Sequence, residues 1–122
     1  MIKLGVAGSP ISHSLSPVIH LAAYKELKID AEFDALEVNE NTFRDFYQDA
    51  KKKNFRGLAL TMPLKEVCID YLDLVEPVAR QITSVNTIVF KSGGGNGFST
   101  DLLAFKNLLS PYFGKEIAIL VA

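Results

Sequence analysis

An α/β domain with a mostly parallel sheet is predicted by three features of this chain. Short apolar runs alternate with segments in which apolar residues recur every three or four positions. The central run, Leu58 to Leu60, is apolar without alternation, which is typical of a strand covered on both faces. The 122 residues, 48% of them hydrophobic, suffice for one buried core. We therefore expect a three-layer domain, with helices flanking the sheet and one antiparallel hairpin strand.

The first third of the chain predicts a strand, a helix and a second strand. Ile2 to Ala7 is a β-prone run that ends at the turn signal Gly8-Ser9-Pro10. Ser16 before Pro17 is typical of a helix N-cap followed by the residue favoured in the first turn. Phe33 to Val38 predicts the second strand. The helix between the strands is expected to face the core with five apolar residues: Val18, Ile19, Ala22, Ala23 and Leu27.

The middle of the chain predicts a second helix and the central strand. Asn39 or Asn41 is expected to cap the helix. Its apolar face comprises Phe43, Phe46, Tyr47 and Ala50. The central strand is ended by Pro63, whose ring removes a backbone donor. Because open α/β sheets bind ligands beyond the carboxyl ends of their strands, Thr61 and Lys65 are candidate site residues.

The second half continues the alternation of helices and strands. Glu66 to Leu72 has a helical pattern, and Glu76-Pro77 is typical of the start of another short helix. Val85 to Phe90 predicts a strand. The glycine-rich segment Ser92 to Asn96 predicts a turn, and Gly97 to Thr100 a short strand that returns from it.

A last helix and a last strand are predicted near the end of the chain. Asp101, an ordinary N-cap residue, precedes a helical stripe that Ser110-Pro111 ends. The stripe comprises Leu102, Phe105, Leu108 and Leu109. Ile117 to Val121 is a fresh apolar run and predicts a strand.

The charge balance and the cysteine count exclude several classes of protein. Thirteen basic and fourteen acidic side chains give a formal net charge of −1, which leaves no broad positive field for nucleic acid or an anionic membrane. The basic run Lys51 to Lys53 is typical of the solvated last turn of a helix. Cys68 is the only cysteine, so no intrachain disulfide forms. With no signal peptide or membrane span in the sequence, we expect a cytoplasmic protein.

Polar residues cluster in the loop before the first helix. Ser12, Ser14 and Ser16 offer hydroxyls near a helix start, where a carboxylate or phosphate can bind. The alternative is that Ser16 only caps the helix and the other two are solvated. His13 and His20 show no zinc-ligand spacing, so we expect no metal site.

Three further polar residues are candidates for a ligand site. Lys65 follows a buried strand, although a solvated lysine is the simpler interpretation. Asn86 interrupts an apolar strand, and a buried amide there needs partners. Asp101 by itself is an ordinary cap. From composition and spacing alone, the chain is an α/β domain with a small polar site and no assigned reaction.

These residues lie in segments that resemble the shikimate dehydrogenase family, specifically its N-terminal substrate-binding domain. Residues 8 to 17, with His20 following, are similar to the family signature Gly-x-Pro-Ile-x-His-Ser-x-Ser-Pro. Thr61 to Lys65 resembles its Thr-x-Pro-x-Lys, and Val85 to Thr87 its Val-Asn-Thr. Ser99 to Asp101 resembles its Asn-Thr-Asp.

The resemblance implies reversible reduction of 3-dehydroshikimate to shikimate with NADPH. It implies that Lys65 and Asp101 form the catalytic pair. The substrate-binding residues it implies are Ser14, Ser16, Thr61, Lys65, Asn86 and Asp101. The implied partner is shikimate or a similar hydroxy acid, without nucleic acid or membrane, and homodimerisation is left open.

The sequence departs from the family pattern at several positions. Ala59 stands where the family usually has Asn, and on a strand it faces the same side as Thr61. Ser99 replaces the first Asn of Asn-Thr-Asp, Ala104 replaces a Gly and Leu21 replaces an Asn. Quinate or another shikimate-like acid is therefore an alternative substrate, and a non-catalytic binding module with the same fold is an alternative function.

The resemblance also predicts how the chain is divided into domains. Residues 1–101 are expected to form the substrate-binding domain, and residues 102–114 a connecting helix and linker. Residues 115–122 are expected to form the first strand of a dinucleotide-binding domain that stops before its glycine-rich turn. We therefore expect no cofactor-binding residues in this chain and no hydride transfer by it alone.

Overall fold

Six strands form a single mixed sheet in the computed structural model, which describes residues 1–120. The strands are β1 (Ile2–Gly8), β2 (Ala31–Glu37), β3 (Phe55–Leu60), β4 (Leu74–Val75), β5 (Thr87–Lys91) and β6 (Gly94–Phe98). The helices are α1 (Ser16–Leu27), α2 (Phe43–Lys52), α3 (Leu64–Val67), α4 (Pro77–Ile82) and α5 (Thr100–Leu109). Two 3₁₀ turns, Cys68–Asp70 and Ser110–Tyr112, extend α3 and α5.

The sheet has the strand order β2-β1-β3-β5-β6-β4. β1 pairs in parallel with both β2 and β3, and β4 pairs in parallel with β6. β5 is antiparallel to both of its neighbours, β3 and β6. This confirms the predicted mostly parallel sheet with one hairpin. Because β5 runs in the opposite direction, its first residue lies at the same edge of the sheet as the last residue of β3.

The main core fills one face of the sheet. It joins alternate residues of the strands to α2, α3 and α4, as strand geometry requires. Its largest fully buried side chains are Tyr47, Phe43, Leu64, Ile88 and Val85. A smaller cluster on the other face contains Val6, Ile11 and Phe33, with Tyr24 of α1 packed against it.

In the first helix, the residues predicted to face the core are exposed instead. Val18, Ile19 and Leu27 are 67%, 64% and 66% exposed, and α1 has no buried residue. The sheet is contacted instead by His20, which stacks on Phe33 at 4.1 Å, and by Tyr24. The prediction was wrong because α1 is apolar on several sides, so periodicity alone does not identify its packed side.

The helix caps also differ from the prediction. Ser16 begins α1 instead of capping it, and its N–H donates to the Ser14 hydroxyl at 3.2 Å. Ser99, and not Asp101, caps α5, because its hydroxyl accepts the Leu102 N–H at 3.4 Å. The N-cap of α2 is Thr42, so neither Asn39 nor Asn41 is the cap; Asn39 Oδ1 instead accepts the Thr42 N–H in the turn before the helix.

The glycine-rich segment forms more strand than predicted. Only Ser92 and Gly93 form the turn, with φ of 54° and 78°, and β6 already begins at Gly94. Two of the glycines in β6 are required by close packing. A Cβ on Gly95 would lie 2.4 Å from the Tyr47 hydroxyl, and one on Gly97 would lie 2.5 Å from Leu72 Cδ1. Glycine here therefore indicates close packing within a strand.

Other boundaries shift by a few residues. The helix predicted over Glu66 to Leu72 is the short α3 with its 3₁₀ extension, which ends at Asp70. The two-residue strand β4 was not predicted. Residues 117–120 have no regular secondary structure, since a strand needs a hydrogen-bonded neighbour. The end of that predicted strand, Val121, lies outside the described residues. Within residues 1–120, no helix is both long and apolar enough to span a bilayer.

Candidate active site

Lys65 lies just beyond the carboxyl end of β3. The chain leaves the strand at Leu60, passes through a turn at Met62 and Pro63, and enters α3 at Leu64. Leu64 is fully buried, which holds the helix on the core, and the carbonyl of Lys65 accepts the Val85 N–H at 2.8 Å. The backbone of Lys65 is therefore tied to the segment that leads into β5.

Asp101 approaches Lys65 from the first turn of α5. The Lys65 Nζ donates to Asp101 Oδ2 at 2.7 Å, a charge-assisted contact between residues 36 positions apart. The two side chains are 35% and 52% exposed, so the ion pair stays open to a ligand. An ammonium held beside a carboxylate can stabilise a developing alkoxide and give it a proton.

Asn86 lies at the same edge, immediately before β5. Its carbonyl accepts the Leu60 N–H at 2.7 Å, and its N–H donates to the Phe98 carbonyl at 3.1 Å. These bonds attach its backbone to β3 on one side and to β6 on the other. Its side chain reaches α5, where Nδ2 donates to the Thr100 hydroxyl at 2.7 Å.

A groove of about 490 Å³ opens beside these three residues. It follows the sheet face that α1 covers only in part, from the Lys65 and Asp101 pair toward Arg56. Its polar lining residues are His20, Tyr24, Arg56, Lys65, Asn86, Thr87, Thr100 and Asp101. The volume lies within the range of small-molecule sites.

The structure brings together three of the six predicted site residues. Lys65, Asn86 and Asp101 line the groove, whereas Ser14, Ser16 and Thr61 do not. Thr61 donates its N–H to the Ala7 carbonyl at 3.0 Å, at the end of β1. The loop that continues β1 carries the two serines toward α1. The predicted roles of Ser14, Ser16 and Thr61 remain predictions.

The loop before α1 is held by the end of β2. Glu37 accepts hydrogen bonds from the Ser9 hydroxyl and, at 3.0 Å, from the Ile11 N–H. The Ser9 N–H donates to the Met62 carbonyl at 2.9 Å. The peptide bonds before Pro10 and Pro63 are both cis. The serine loop and the loop carrying Lys65 are thus directly hydrogen-bonded to each other.

Residue-by-residue reasoning missed several groove residues. Thr87 and Thr100 stand inside the motifs that resemble the family, but neither was singled out. Tyr24 and Arg56 carried no motif signal and line the groove only because of the fold. Ala59 also lines it, although Thr61, with which it was expected to share a side, does not.

A metal site and a nucleophilic cysteine are the two other types of site considered for residues 1–120. No group of three or more His, Cys, Asp or Glu side chains is arranged there to hold a metal ion. Cys68 is fully buried in the core, and burial raises the pKa of its thiol to about 12. Its thiolate is therefore disfavoured, and Cys68 acts as a packing residue of the core.

Known proteins match this chain in both sequence and fold. The model of the shikimate dehydrogenase substrate binding domain matches residues 6–88. A shikimate dehydrogenase (NADP(+)) from Bacillus anthracis is 42% identical over 105 residues, which are 86% of this chain and 38% of the relative.

Two solved structures illustrate the likeness in fold. Shikimate 5-dehydrogenase from Thermus thermophilus, in complex with shikimate, has a TM-score of 0.84 and 34% identity. The alignment covers 91% of this chain and 42% of that one. 5-Ketofructose reductase of Gluconobacter has a TM-score of 0.83 and 25% identity, with coverage of 90% and 40%.

The chain therefore spans about two fifths of the length of these relatives. The matches cover its β1 to β5 region and the motifs that contain Lys65 and Asn86. On this evidence the chain belongs to the shikimate dehydrogenase family, and its residues 6–88 match that family's substrate-binding domain.

Proposed function

We propose that this chain is the shikimate-binding part of an NADP-dependent shikimate dehydrogenase. The reaction of the whole enzyme is the reversible reduction of 3-dehydroshikimate to shikimate. The observation that carries the proposal is the 2.7 Å contact between Lys65 and Asp101 beside the groove. The Thermus relative of similar fold is described in complex with shikimate.

The site chemistry fits reduction of a ketone. Reduction turns the carbonyl oxygen into an alkoxide, and a positioned ammonium lowers the energy of that charge. The Lys65 Nζ stabilises the oxygen and delivers a proton to it, while Asp101 orients the ammonium. In the opposite direction Lys65 accepts the hydroxyl proton. Asn86 supplies a hydrogen-bond donor to a neighbouring oxygen.

The described residues do not fit a dinucleotide. Gly5 serves strand packing, because a Cβ there would lie 2.9 Å from the Asp34 carbonyl oxygen of β2. The glycines of β6 lie in an antiparallel hairpin, not in a turn between a strand and a helix. We therefore propose that NADP is bound by the part of the enzyme outside this chain.

A titration of this chain with shikimate, followed by amide NMR, tests the proposal. We expect shifts at Asn86 and Asp101 and at the three residues predicted from the motifs, Ser14, Ser16 and Thr61. No shift at these positions up to millimolar shikimate would contradict the proposal. Without the dinucleotide-binding part, we expect binding but no turnover.

A related hydroxy acid is the second candidate substrate. Ala59 contributes no polar group to the groove, where the family usually has Asn. 5-Ketofructose reductase, which has a similar fold, is named for another ketone. Quinate is therefore the competitor to include in the titration, since the choice between the two acids depends on about one or two hydroxyl contacts. A non-catalytic module is supported if neither acid binds.

We further propose a cytoplasmic location, a role in aromatic amino acid biosynthesis, and no nucleic-acid or membrane partner. The single buried cysteine and the near-zero net charge support the location and the absence of these partners. We also propose that the chain pairs with a second copy. The exposed apolar side chains of α1, Val18, Ile19 and Leu27, support this pairing.

A further inference from the structure

The carboxamide of Asn86 is held by three hydrogen bonds within the described chain. Its Oδ1 accepts the Thr100 backbone N–H at 2.9 Å and the Thr87 hydroxyl at 3.1 Å. Its Nδ2 donates to the Thr100 hydroxyl at 2.7 Å. The two threonines come from different elements, β5 and α5, which meet at this residue.

The Thr100 N–H determines which way the amide faces. A backbone N–H only donates, so the atom opposite it must be the oxygen of the carboxamide. A flipped amide would set Nδ2 against this N–H and would lose the bond. The Thr100 hydroxyl then takes one of the two Nδ2 hydrogens, which fixes the plane of the amide as well.

The donors and acceptors of the Asn86 side chain that remain free define the hydrogen bond it can make to a ligand. Both lone-pair positions of Oδ1 are used, by Thr87 and by Thr100. One of the two Nδ2 hydrogens is also used. Asn86 therefore has one N–H left and no acceptor, at a position that lines the groove.

We propose that Thr87 and Thr100 are positioning residues that make Asn86 a single-donor contact for a ligand oxygen. The proposal rests on the proposed function for the identity of the ligand. The oxygen recognised is one with a free lone pair, such as a hydroxyl or carbonyl oxygen. Asp101, next to Thr100, supplies the acceptor that Asn86 lacks.

The backbone around Asn86 supports this role. Its N–H and carbonyl are bonded to the neighbouring strands β6 and β3, so the side chain extends from a fixed point. A contact that is fixed before binding loses little rotamer entropy when the ligand arrives. Releasing the amide is thus expected to weaken binding even though no ligand contact is removed.

Two valine substitutions and two serine substitutions in this chain test the proposal. Thr87→Val and Thr100→Val remove the hydroxyls but keep a β-branched side chain of similar shape. We expect the ¹⁵N order parameter of the Asn86 side-chain amide to fall in both. We expect shikimate affinity to fall by about fivefold, as for the loss of one ordinary hydrogen bond. Thr87→Ser and Thr100→Ser should restore both quantities.

Each outcome decides the proposal. Unchanged amide order in both valine variants overturns it, as does lowered order with unchanged shikimate affinity. Failure of serine to restore the order also overturns it, because the hydroxyl would not be responsible. If the unsubstituted chain binds no shikimate, the proposed function fails, and the amide order alone then decides the positioning role. Backbone amide spectra establish that every variant is folded.

Discussion

At the scale of single residues, the site depends on an ion pair that is not needed for stability. The Lys65 and Asp101 side chains are both partly solvated, and exposed ion pairs contribute little to the free energy of unfolding. The ion pair matters because it holds the Lys65 ammonium beside the groove. Substitutions there are therefore expected to alter chemistry far more than stability.

Lys65→Ala in the full-length enzyme is expected to lower kcat by about 10² to 10⁴-fold, as for the loss of a general acid. KM should change much less, because the other polar contacts to the ligand remain. Steady-state kinetics with shikimate measure both quantities. Lys25→Ala, an exposed lysine on α1, is the matched control and should leave them unchanged. A large KM effect with normal turnover would exclude the catalytic role.

A second carboxylate, Asp73, stabilises the fold and has no role in the site. Its Oδ2 accepts the Gly95 N–H at 2.8 Å and the hydroxyl of buried Tyr47 at 2.7 Å. These two bonds, the Gly95 N–H first, hold the pKa of Asp73 below its usual value. The folded state thus favours the ionised form, which stabilises it above about pH 4 and less so as the pH falls below that value.

Asp73→Asn is accordingly expected to destabilise the chain most at neutral pH. The difference in unfolding free energy between the two proteins should narrow as the pH is lowered from 6 to 3, because the native carboxylate becomes protonated. Urea denaturation at both pH values measures it. Asp70→Asn, a nearby exposed carboxylate, is the control. A difference independent of pH would show that the charge of Asp73 is not involved.

At the scale of elements, the start of α2 shows how one side chain organises a helix. Asn39 Oδ1 accepts the N–H groups of Asn41 and Thr42 at 2.9 and 3.1 Å, and its own N–H donates to the Thr42 hydroxyl at 3.1 Å. This reciprocal arrangement resembles a capping box. The helix carries Phe43 and Tyr47 into the core, so its start is coupled to packing.

Asn39→Ala is expected to cost about 1 kcal/mol of unfolding free energy, because two backbone N–H groups in the turn that leads into α2 would lose their acceptor. Asn41→Ala removes the same side chain from an exposed position without a capping bond and should stay within about 0.5 kcal/mol of the original chain. Chemical denaturation of the two variants, side by side, measures the difference. Equal effects would mean that the Asn39 side chain does not stabilise the turn before α2.

At the scale of the whole molecule, the two sheet faces are covered unequally. Three helices cover one face, whereas on the other face neither α1 nor α5 has a buried residue. Leu103 and Leu108 of α5 are exposed, as are Val18 and Ile19 of α1. Exposed apolar side chains on both helices indicate a surface at which another molecule can bind.

The pairing proposed above is expected to make the molecular mass depend on concentration. Ile19→Lys with Leu27→Lys should shift the chain toward monomer, because charge would be placed on the apolar surface of α1. Sedimentation velocity at several concentrations measures this. Leu74→Lys, on the edge strand β4, is the control for added charge. A chain that is monomeric throughout would contradict the pairing.

The sequence predicted the order of most elements, and three of its six candidate site residues line one groove. An apolar run without alternation predicted β3, helical periodicity predicted α2, and Glu76-Pro77 predicted the start of α4. The motifs pointed to Lys65, Asn86 and Asp101, which line the groove. It did not predict which side of α1 is packed, because that side is determined by contact with Phe33. Nor did it predict Gly95 within a strand, because the reason lies in Tyr47, far earlier in the chain. A feature that depends on contact with a residue distant along the chain leaves no pattern in the local sequence.

The reversed direction of β5 has a practical consequence. The strand begins at the end of the groove that holds Lys65 and Asp101 and ends at the Ser92–Gly93 turn, about 16 Å away for five residues of extended chain. A dye or affinity tag inserted at this turn would therefore stand clear of an acid bound beside Lys65 and Asp101. Such a tag would label or immobilise the protein without covering that end of the groove.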